Sequence, residues 1–483
     1  MSFRVTHIFT DSEIERFALL SGDYNVIHVD PVAARRELFG RPIVHGMLVV
    51  LKAVDCFLSH GDSVGREWMV KRLDVRFMKP VFPGDTVSIT GLVEDAGTVQ
   101  LEVASRTGRL LLIDLALFPC HLNPMQPLAP PTSICRQAKS FSIDDNVDGG
   151  DVSVWLNRQL AFSAFPGLMT SMSAFAVAEL AALSRLVGME YPGDRSVFSQ
   201  LNLRMRDDEG QGGAECRYRV KRRDSRFSLV ELDIEGTVFQ GSVRAFFRPV
   251  TAAQPSYASI CSRVEPGVFS GWRTVVVGGS RGLGEVTAKI LAAGGARVLL
   301  TYRNSKEEAG RVAKEIAVSG DADVMPFDVL APALPFAREP ATHLFYFATP
   351  HIFQQREAPF DESLFNTFMR YYVTGFLKTV QLFPGAAVFY PSSVAVDEHT
   401  PDLLEYAGAK FIGEQICREL NQRKERRVWF ERLPRVATDQ TLTVTGHQAA
   451  NGLDVMLPVL MGMCAQRVAT DNREGTGKEH GRG

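Results

Sequence analysis

Residues Thr274–Arg303 read TVVVGGSRGLGEVTAKILAAGGARVLLTYR. A β-branched apolar run, Thr274–Val277, breaks at Gly278 and Gly279. Apolar residues then recur at helical spacing from Leu283 to Ala292, and a second apolar run follows Gly294 and Gly295. Strand, glycine turn, helix and strand in about thirty residues make one βαβ unit, which predicts a parallel, doubly wound sheet. Gly278, Gly282 and Gly284 follow the strand and open the helix. Backbone without Cβ there lets amide groups approach a pyrophosphate at a helix N-terminus.

The unit lies late in a chain of 483 residues, too long for one ordinary core. Two proline-rich or polar stretches, within Phe118–Ile134 and Arg248–Gly271, read as connectors. They give blocks 1–120, 135–250 and 271–470, with a polar, glycine-rich tail at 471–483 expected to be disordered. A net charge of −2 with dispersed lysines and arginines sets up no field for nucleic acid or an anionic membrane. Seven cysteines, odd in number and without a CxxC pair, fit a reducing, cytoplasmic compartment. The N-terminus lacks the basic and apolar regions of a signal peptide. The most apolar run, Leu168–Met189, carries Glu179 and Arg185 and reads as a buried helix, not a membrane span.

In block one, Thr10 and Glu13 have capping-box spacing before a helical pattern. His45–His60 reads as a long buried helix, and four β-patterned runs follow between Glu67 and Phe118. One central helix and antiparallel strands predict a sheet wrapped around that helix. Block two repeats the order, with a helix over Gly167–Gly188 and four strands after it. VHGML (Val44–Leu48) echoes FPGLM (Phe165–Met169), and LDVRFM (Leu73–Met78) echoes LNLRM (Leu201–Met205).

Block three carries Ser393, Tyr406 and Lys410 in SSVAVDEHTPDLLEYAGAK. Tyr-x-x-x-Lys spacing puts the phenol and the ammonium on one helical face, where the charge is expected to lower the phenol pKa for proton transfer. With the GxxxGxG turn and LPRVATDQT, these residues resemble the short-chain dehydrogenase/reductases, in particular 3-oxoacyl-thioester reductases. The resemblance implies a Rossmann-type sheet and a dinucleotide held by Gly278, Ser280, Arg281, Gly282, Leu283, Gly284, Asp328, Ala348, Tyr406, Lys410 and Thr438. It also implies Ser393 on the substrate oxygen and association of copies through this domain. The second strand ends in Tyr302–Arg303 with no acid for a ribose 2′-hydroxyl. Arg281 and Arg303 therefore favour a 2′-phosphate, hence NADPH. Two positions depart from the family: Phe347–Pro350 replaces Asn-Asn-Ala-Gly, and Tyr372 stands where an Asn holds a relay water.

At the other end, SGDYNVIHVD (Ser21–Asp30) brings Asp23, Asn25 and His28 together. Adding or removing water across C2–C3 of a thioester needs proton transfer at carbon and oxygen, which an Asp/His pair supplies. With FGRPIVHGML and RFMKPVFPGD, residues 8–117 resemble MaoC-like (R)-specific enoyl-thioester hydratases, which have the hot-dog fold. The resemblance implies Asp23 and His28 as catalytic, Asn25 beside the substrate, and an N–H near Gly46 for the thioester oxygen. His45 is a second candidate by type, better placed to shape the helix start. Block two has no Asp-x-x-x-x-His and reads as a degenerate, non-catalytic hot-dog half.

The expected architecture is α+β and α/β, a double hot-dog followed by a Rossmann-type sheet. The expected function is bifunctional: NADPH-dependent reduction of a 3-oxoacyl thioester to the (R)-3-hydroxy form, then dehydration to the trans-2-enoyl thioester. The carrier is acyl carrier protein or coenzyme A, and no metal is assigned. The alternatives are hydration followed by NAD-linked oxidation, as in β-oxidation, and an active hydratase with a crippled reductase-like scaffold. Whether the acyl group serves fatty acid or polyketide biosynthesis, or a glycan, is left open.

Overall fold

The computed structural model describes the chain except residues 1, 61–65, 96, 121–126, 207–213, 251–252, 332–339, 354–358, 399–400, 424–425, 442–448 and 477–483. It forms two compact units, one of residues 1–250 and one from 251 onward.

The first unit is one ten-stranded sheet. Its strands are β1 (Ser2–Ile8), β2 (Trp68–Phe77), β3 (Thr86–Asp95), β4 (Thr98–Ser105), β5 (Gly108–Pro119), β6 (Gly149–Ser153), β7 (Ser196–Met205), β8 (Glu215–Asp224), β9 (Leu229–Glu235) and β10 (Phe239–Phe247). They lie in the order β1-β3-β4-β5-β2-β7-β10-β9-β8-β6. β2 and β7 pair antiparallel at the centre, Leu73 opposite Leu203 and Val75 opposite Leu201. The second sequence echo is thus this seam, where Asn202 donates to Asp74 at 2.8 Å. Alternation sends Val87, Ile89, Leu101, Val103, Ile113 and Leu115 into the core. Each contributes about 1.5–3 kcal/mol on burial. Two helices pack there, Gly46–Leu58 and Ala174–Arg185. This is the double hot-dog.

The Thr10 capping box forms around the helix Asp11–Ser21: Glu13 N–H donates to Thr10 Oγ1 and Thr10 N–H to Glu13 Oε2. The helix expected over Gly167–Gly188 is instead broken. Pro166 starts a short helix, Pro166–Ser171; Ser173 caps a new one by accepting from Ala176 N–H; and a π-helical turn, Leu186–Glu190, ends it. FPGLM therefore precedes the second central helix and packs against the first.

The second unit has six parallel strands, β11 (Arg273–Val277), β12 (Arg297–Tyr302), β13 (Asp321–Pro326), β14 (His343–Tyr346), β15 (Ala387–Ser393) and β16 (Val428–Leu433). Their order is β13-β12-β11-β14-β15-β16. The order reverses between β11 and β14, the place where doubly wound sheets bind ligands. Part of the second connector is helical, Tyr257–Cys261. The last helix, Gly452–Thr476, runs into the tail expected to be disordered from 471; residues 477–483 lie outside the described residues. So do residues 332–339 of the short connection between Asp328 and Phe347. No helix among the described residues is long and apolar enough to cross a membrane.

Candidate functional sites

Asp23 and Asn25 are buried on the loop between the helices Asp11–Ser21 and Val26–Val29, and half-buried His28 lies in the second of these helices. Gly22 ends the first helix in the left-handed region, φ 77°, which turns the chain inward. Asp23 Oδ1 accepts from Asn25 N–H at 3.1 Å and Oδ2 from Ser184 Oγ at 2.7 Å. His28 Nδ1 lies 2.8 Å from the Ile43 carbonyl, so it donates and leaves Nε2 with a lone pair. His45 Nε2 donates to the Asp23 carbonyl at 3.0 Å, and His45 Nδ1 is buried without a partner. The His28 and His45 rings stack at 3.9 Å.

One ligand-type atom from each of Asp23, His28 and His45 lies within 4.8 Å of the others. That span fits one water bonded to two groups. It also fits a cation by residue type, but stacked rings do not aim their nitrogens at one point as two ligands of one ion must. Burial raises the Asp23 carboxyl above its usual 3.8, against the opposing effects of His45, Ser184 and the Asn25 N–H. Burial, then the charge of His45, holds His28 well below 6.5, so it is neutral at pH 7. Gly46 opens the first central helix. A Cβ there meets Phe77 Cε1 at 2.8 Å, and His45 supplies no side-chain cap to the first-turn N–H groups.

Asn25 spends its polar atoms within the protein. Its Nδ2 points to the carbonyls of Gly188, Gly193 and Asp194 at 3.0–3.1 Å, and its Oδ1 accepts from Ile27 N–H. It fastens the loop to the second half. Ser184 and Gly188, on that half, escaped the sequence reading: a Cβ at Gly188 meets Asp23 Oδ1 at 2.3 Å. No local signal marks either residue, because the contacts span more than 160 positions. Arg248 is also buried, pairs with Glu37 at 2.6 Å, and helps to depress His28.

In the second unit, the turn after β11 has Gly278 at φ 77° and Gly282 at φ 56°. A Cβ on Gly284 meets the Gly278 carbonyl at 2.2 Å, and one on Gly278 meets Ala348 N at 3.2 Å. Gly282 adjoins Thr438, so Gly278–Gly284, Ala348 and Thr438 share one edge. Arg281 Nη1 pairs with Asp439 at 2.5 Å, and Arg303 Nε with Asp328 at 3.1 Å. The bare cradle fits a dinucleotide pyrophosphate.

Ser393 ends β15, with Tyr406 and Lys410 on the helix Leu404–Gln422. Burial raises Tyr406 to about 12 against a hydrogen bond with Ser393, and lowers Lys410 to about 7. The expected depression of the phenol by Lys410 does not occur. Lys410 Nζ donates instead to the Pro391 carbonyl at 2.6 Å and lies 5.9 Å from the Tyr406 ring centroid.

The MaoC like domain family matches residues 1–112, and the short chain dehydrogenase family matches residues 273–333. Protein MaoC of Klebsiella aerogenes is 35% identical over 85 residues, 17% of this chain and 24% of that protein. The chain thus spans about a quarter of that relative's length. The (R)-specific enoyl-CoA hydratase of Aeromonas caviae is 38% identical over 113 residues, 22% of this chain and 83% of that protein. Among solved structures, a MaoC-like dehydratase aligns with TM-score 0.37 at 12% identity, covering 51% of this chain and 97% of its own. Residues Asp23 and His28 lie inside the matched segment, and the chain belongs to the MaoC-like family, with a short-chain dehydrogenase region following in the same polypeptide.

Proposed function

We propose a bifunctional acyl-thioester enzyme. The second unit reduces a 3-oxoacyl thioester to the (R)-3-hydroxy form with NADPH, and the first removes water to give the trans-2-enoyl thioester. The carrier is acyl carrier protein or coenzyme A. Residues 1–120 are the dehydratase half, 135–250 the non-catalytic hot-dog half and 271–470 the reductase, through which copies associate. The observation that carries this reading is the cluster of Asp23, His28 and His45, whose carboxylate and ring nitrogens come within 4.8 Å of one another, with His28 Nδ1 committed to the Ile43 carbonyl.

That cluster holds the oxygen that leaves C3 in dehydration or attacks it in hydration. His28, neutral, accepts or returns one proton, and Asp23 handles the other. The N–H groups at Gly46 stabilise charge on the thioester oxygen. In the reductase, Gly278, Ser280, Arg281, Gly282, Leu283, Gly284, Ala348 and Thr438 would hold the cofactor, with Arg303 and Asp328 at its adenosine end. The bound nicotinamide supplies hydride. Tyr406 gives its proton to the carbonyl oxygen, Ser393 orients that oxygen, and Lys410 supports the phenol once drawn toward the ribose.

One observation favours the oxidative, NAD-linked alternative. Arg281 and Arg303 each already pair with a carboxylate, Asp439 and Asp328, so a 2′-phosphate must share them. Assaying both half-reactions with NADPH and NADH decides. Asp23→Asn should abolish hydration and dehydration while ketoreduction persists, and Tyr406→Phe should do the reverse. Strong NADH preference overturns the reductive direction, and hydration surviving in Asp23→Asn overturns the site.

A further inference from the structure

Lys410 is buried, and the described residues bring no carboxylate within ion-pair distance of it. Its Nζ lies over the Tyr372 ring at 4.0 Å and the Tyr390 ring at 4.9 Å, and donates to the Pro391 carbonyl at 2.6 Å. Two π-faces and a carbonyl attract an ammonium more strongly than a neutral amine.

Tyr372 sits on a π-helical turn, Arg370–Gly375, between the helices Glu362–Met369 and Phe376–Leu382. Such turns insert one residue and redirect a side chain. This one buries the Tyr372 ring edge-on to Tyr406 at 5.7 Å and parallel to Phe368 at 5.8 Å. Thr349 Oγ1 donates to the Pro350 carbonyl, so at 2.5 Å the Tyr372 hydroxyl donates to Thr349. Thr349 follows Ala348, which adjoins the Gly278 turn. One side chain therefore touches Lys410 with its ring and the cofactor edge with its hydroxyl.

We propose that Tyr372 is the positioning residue of Lys410: its ring, with that of Tyr390 and the Pro391 carbonyl, seats the ammonium, and its hydroxyl ties the seat to the loop along the cofactor edge. The proposal rests on the reductase reading above. The seat replaces a charged counter-ion. Groups facing Lys410 are Tyr372 from the π-turn, Tyr390 from β15, and Tyr406, Glu414 and Cys417 from its own helix. Glu414 is taken up by Arg432 of β16 and by Ser392. Loss of the ring leaves the buried amine fewer reasons to stay protonated; burial already brings it to about 7.

The test is the pH dependence of ketoreduction and of NADPH affinity, the latter read by cofactor fluorescence, in full-length wild type, Tyr372→Phe and Tyr372→Leu. Tyr372→Phe keeps the ring and should keep the alkaline limb, while loss of the hydroxyl tie lowers kcat by about threefold. Tyr372→Leu should move that limb down by about one pH unit and cut kcat about tenfold or more, with the substrate KM little changed. Hydration by the first unit and the unfolding temperature check that Tyr372→Leu is folded. If it is not, Tyr372→Phe and Tyr390→Leu carry the comparison. Coincident pH profiles in the Phe and Leu variants, or faster turnover in Tyr372→Asn, overturn the seat. If wild type binds NADPH but reduces no 3-oxoacyl thioester, the reductase reading fails. The seat is then judged on binding alone: a downward pH shift of affinity in Tyr372→Leu supports it, and none overturns it.

Discussion

Replacing Ser184 with alanine removes the hydroxyl that donates to the Asp23 carboxylate, a 2.7 Å contact between two buried groups. A hydrogen bond to a charged group is worth roughly 1.5–3 kcal/mol, and one pKa unit corresponds to about 1.4 kcal/mol. Asp23 already stands above 3.8 through burial, and the Ser184 bond is one of the effects that hold it down. In Ser184→Ala the carboxyl therefore rises further, and a lost bond of this strength corresponds to about one to two pH units on the limb it controls. The carboxylate is the form that takes a proton from water, so the acid limb of hydration moves up by the same amount. The alkaline side stays in place, because His28 is held neutral by burial and by His45, not by Ser184. Stability follows the same sign. The folded pKa exceeds the unfolded one, so the charged carboxylate opposes folding above the folded pKa. The variant's loss is then largest at neutral pH and shrinks as pH falls through the raised pKa. The assay is loss of enoyl-thioester absorbance from about pH 5 to pH 9, with urea unfolding at both ends. An acid limb unmoved beside a lowered plateau would refute this account and leave Ser184 a packing residue.

Two further outcomes are expected. Arg303→Glu places a carboxylate beside Asp328, 3.1 Å from the present guanidinium, and should reverse an NADPH preference by about tenfold to a hundredfold in the ratio of kcat/KM values; an unchanged ratio would remove Arg303 from cofactor selection. Leu203→Ala, at the seam of β2 and β7 and 1% exposed, should cost about 2–5 kcal/mol in urea unfolding of the first unit. A cost below about 1 kcal/mol would mean the two halves do not share one core there.

What was legible in the sequence was whatever is encoded within a few residues. The Thr10–Glu13 box, the alternation of β3 to β5, the glycine turn at Gly278–Gly284 and the four-residue step from Tyr406 to Lys410 all depend on neighbours in the chain. The break at Ser173 is not legible because apolar residues dominate both sides of it in Leu168–Met189, and periodicity cannot place a cap inside such a run. The direction of Lys410 was lost for another reason. Spacing puts Tyr406 and Lys410 on one face, but the Pro391 carbonyl and the Tyr372 ring, brought in by β15 and the π-turn, decide where the ammonium goes.

The same distinction changes what the second hot-dog half is for. It lacks an Asp-x-x-x-x-His, and so reads as an empty copy that widens a pocket. Yet it supplies the hydroxyl on Asp23, through Ser184, and three carbonyls that hold Asn25. It also supplies the bare backbone of Gly188, where a Cβ meets the Asp23 carboxylate at 2.3 Å. A half without an Asp-x-x-x-x-His of its own thus lines its neighbour's loop with Ser184, Gly188 and these carbonyls. The surroundings of Asp23 therefore belong to the paired sheet, not to residues 1–120 alone. The first half cut off before the second central helix would keep both side chains and His45 but lose Ser184, one of the groups that offset the burial of Asp23.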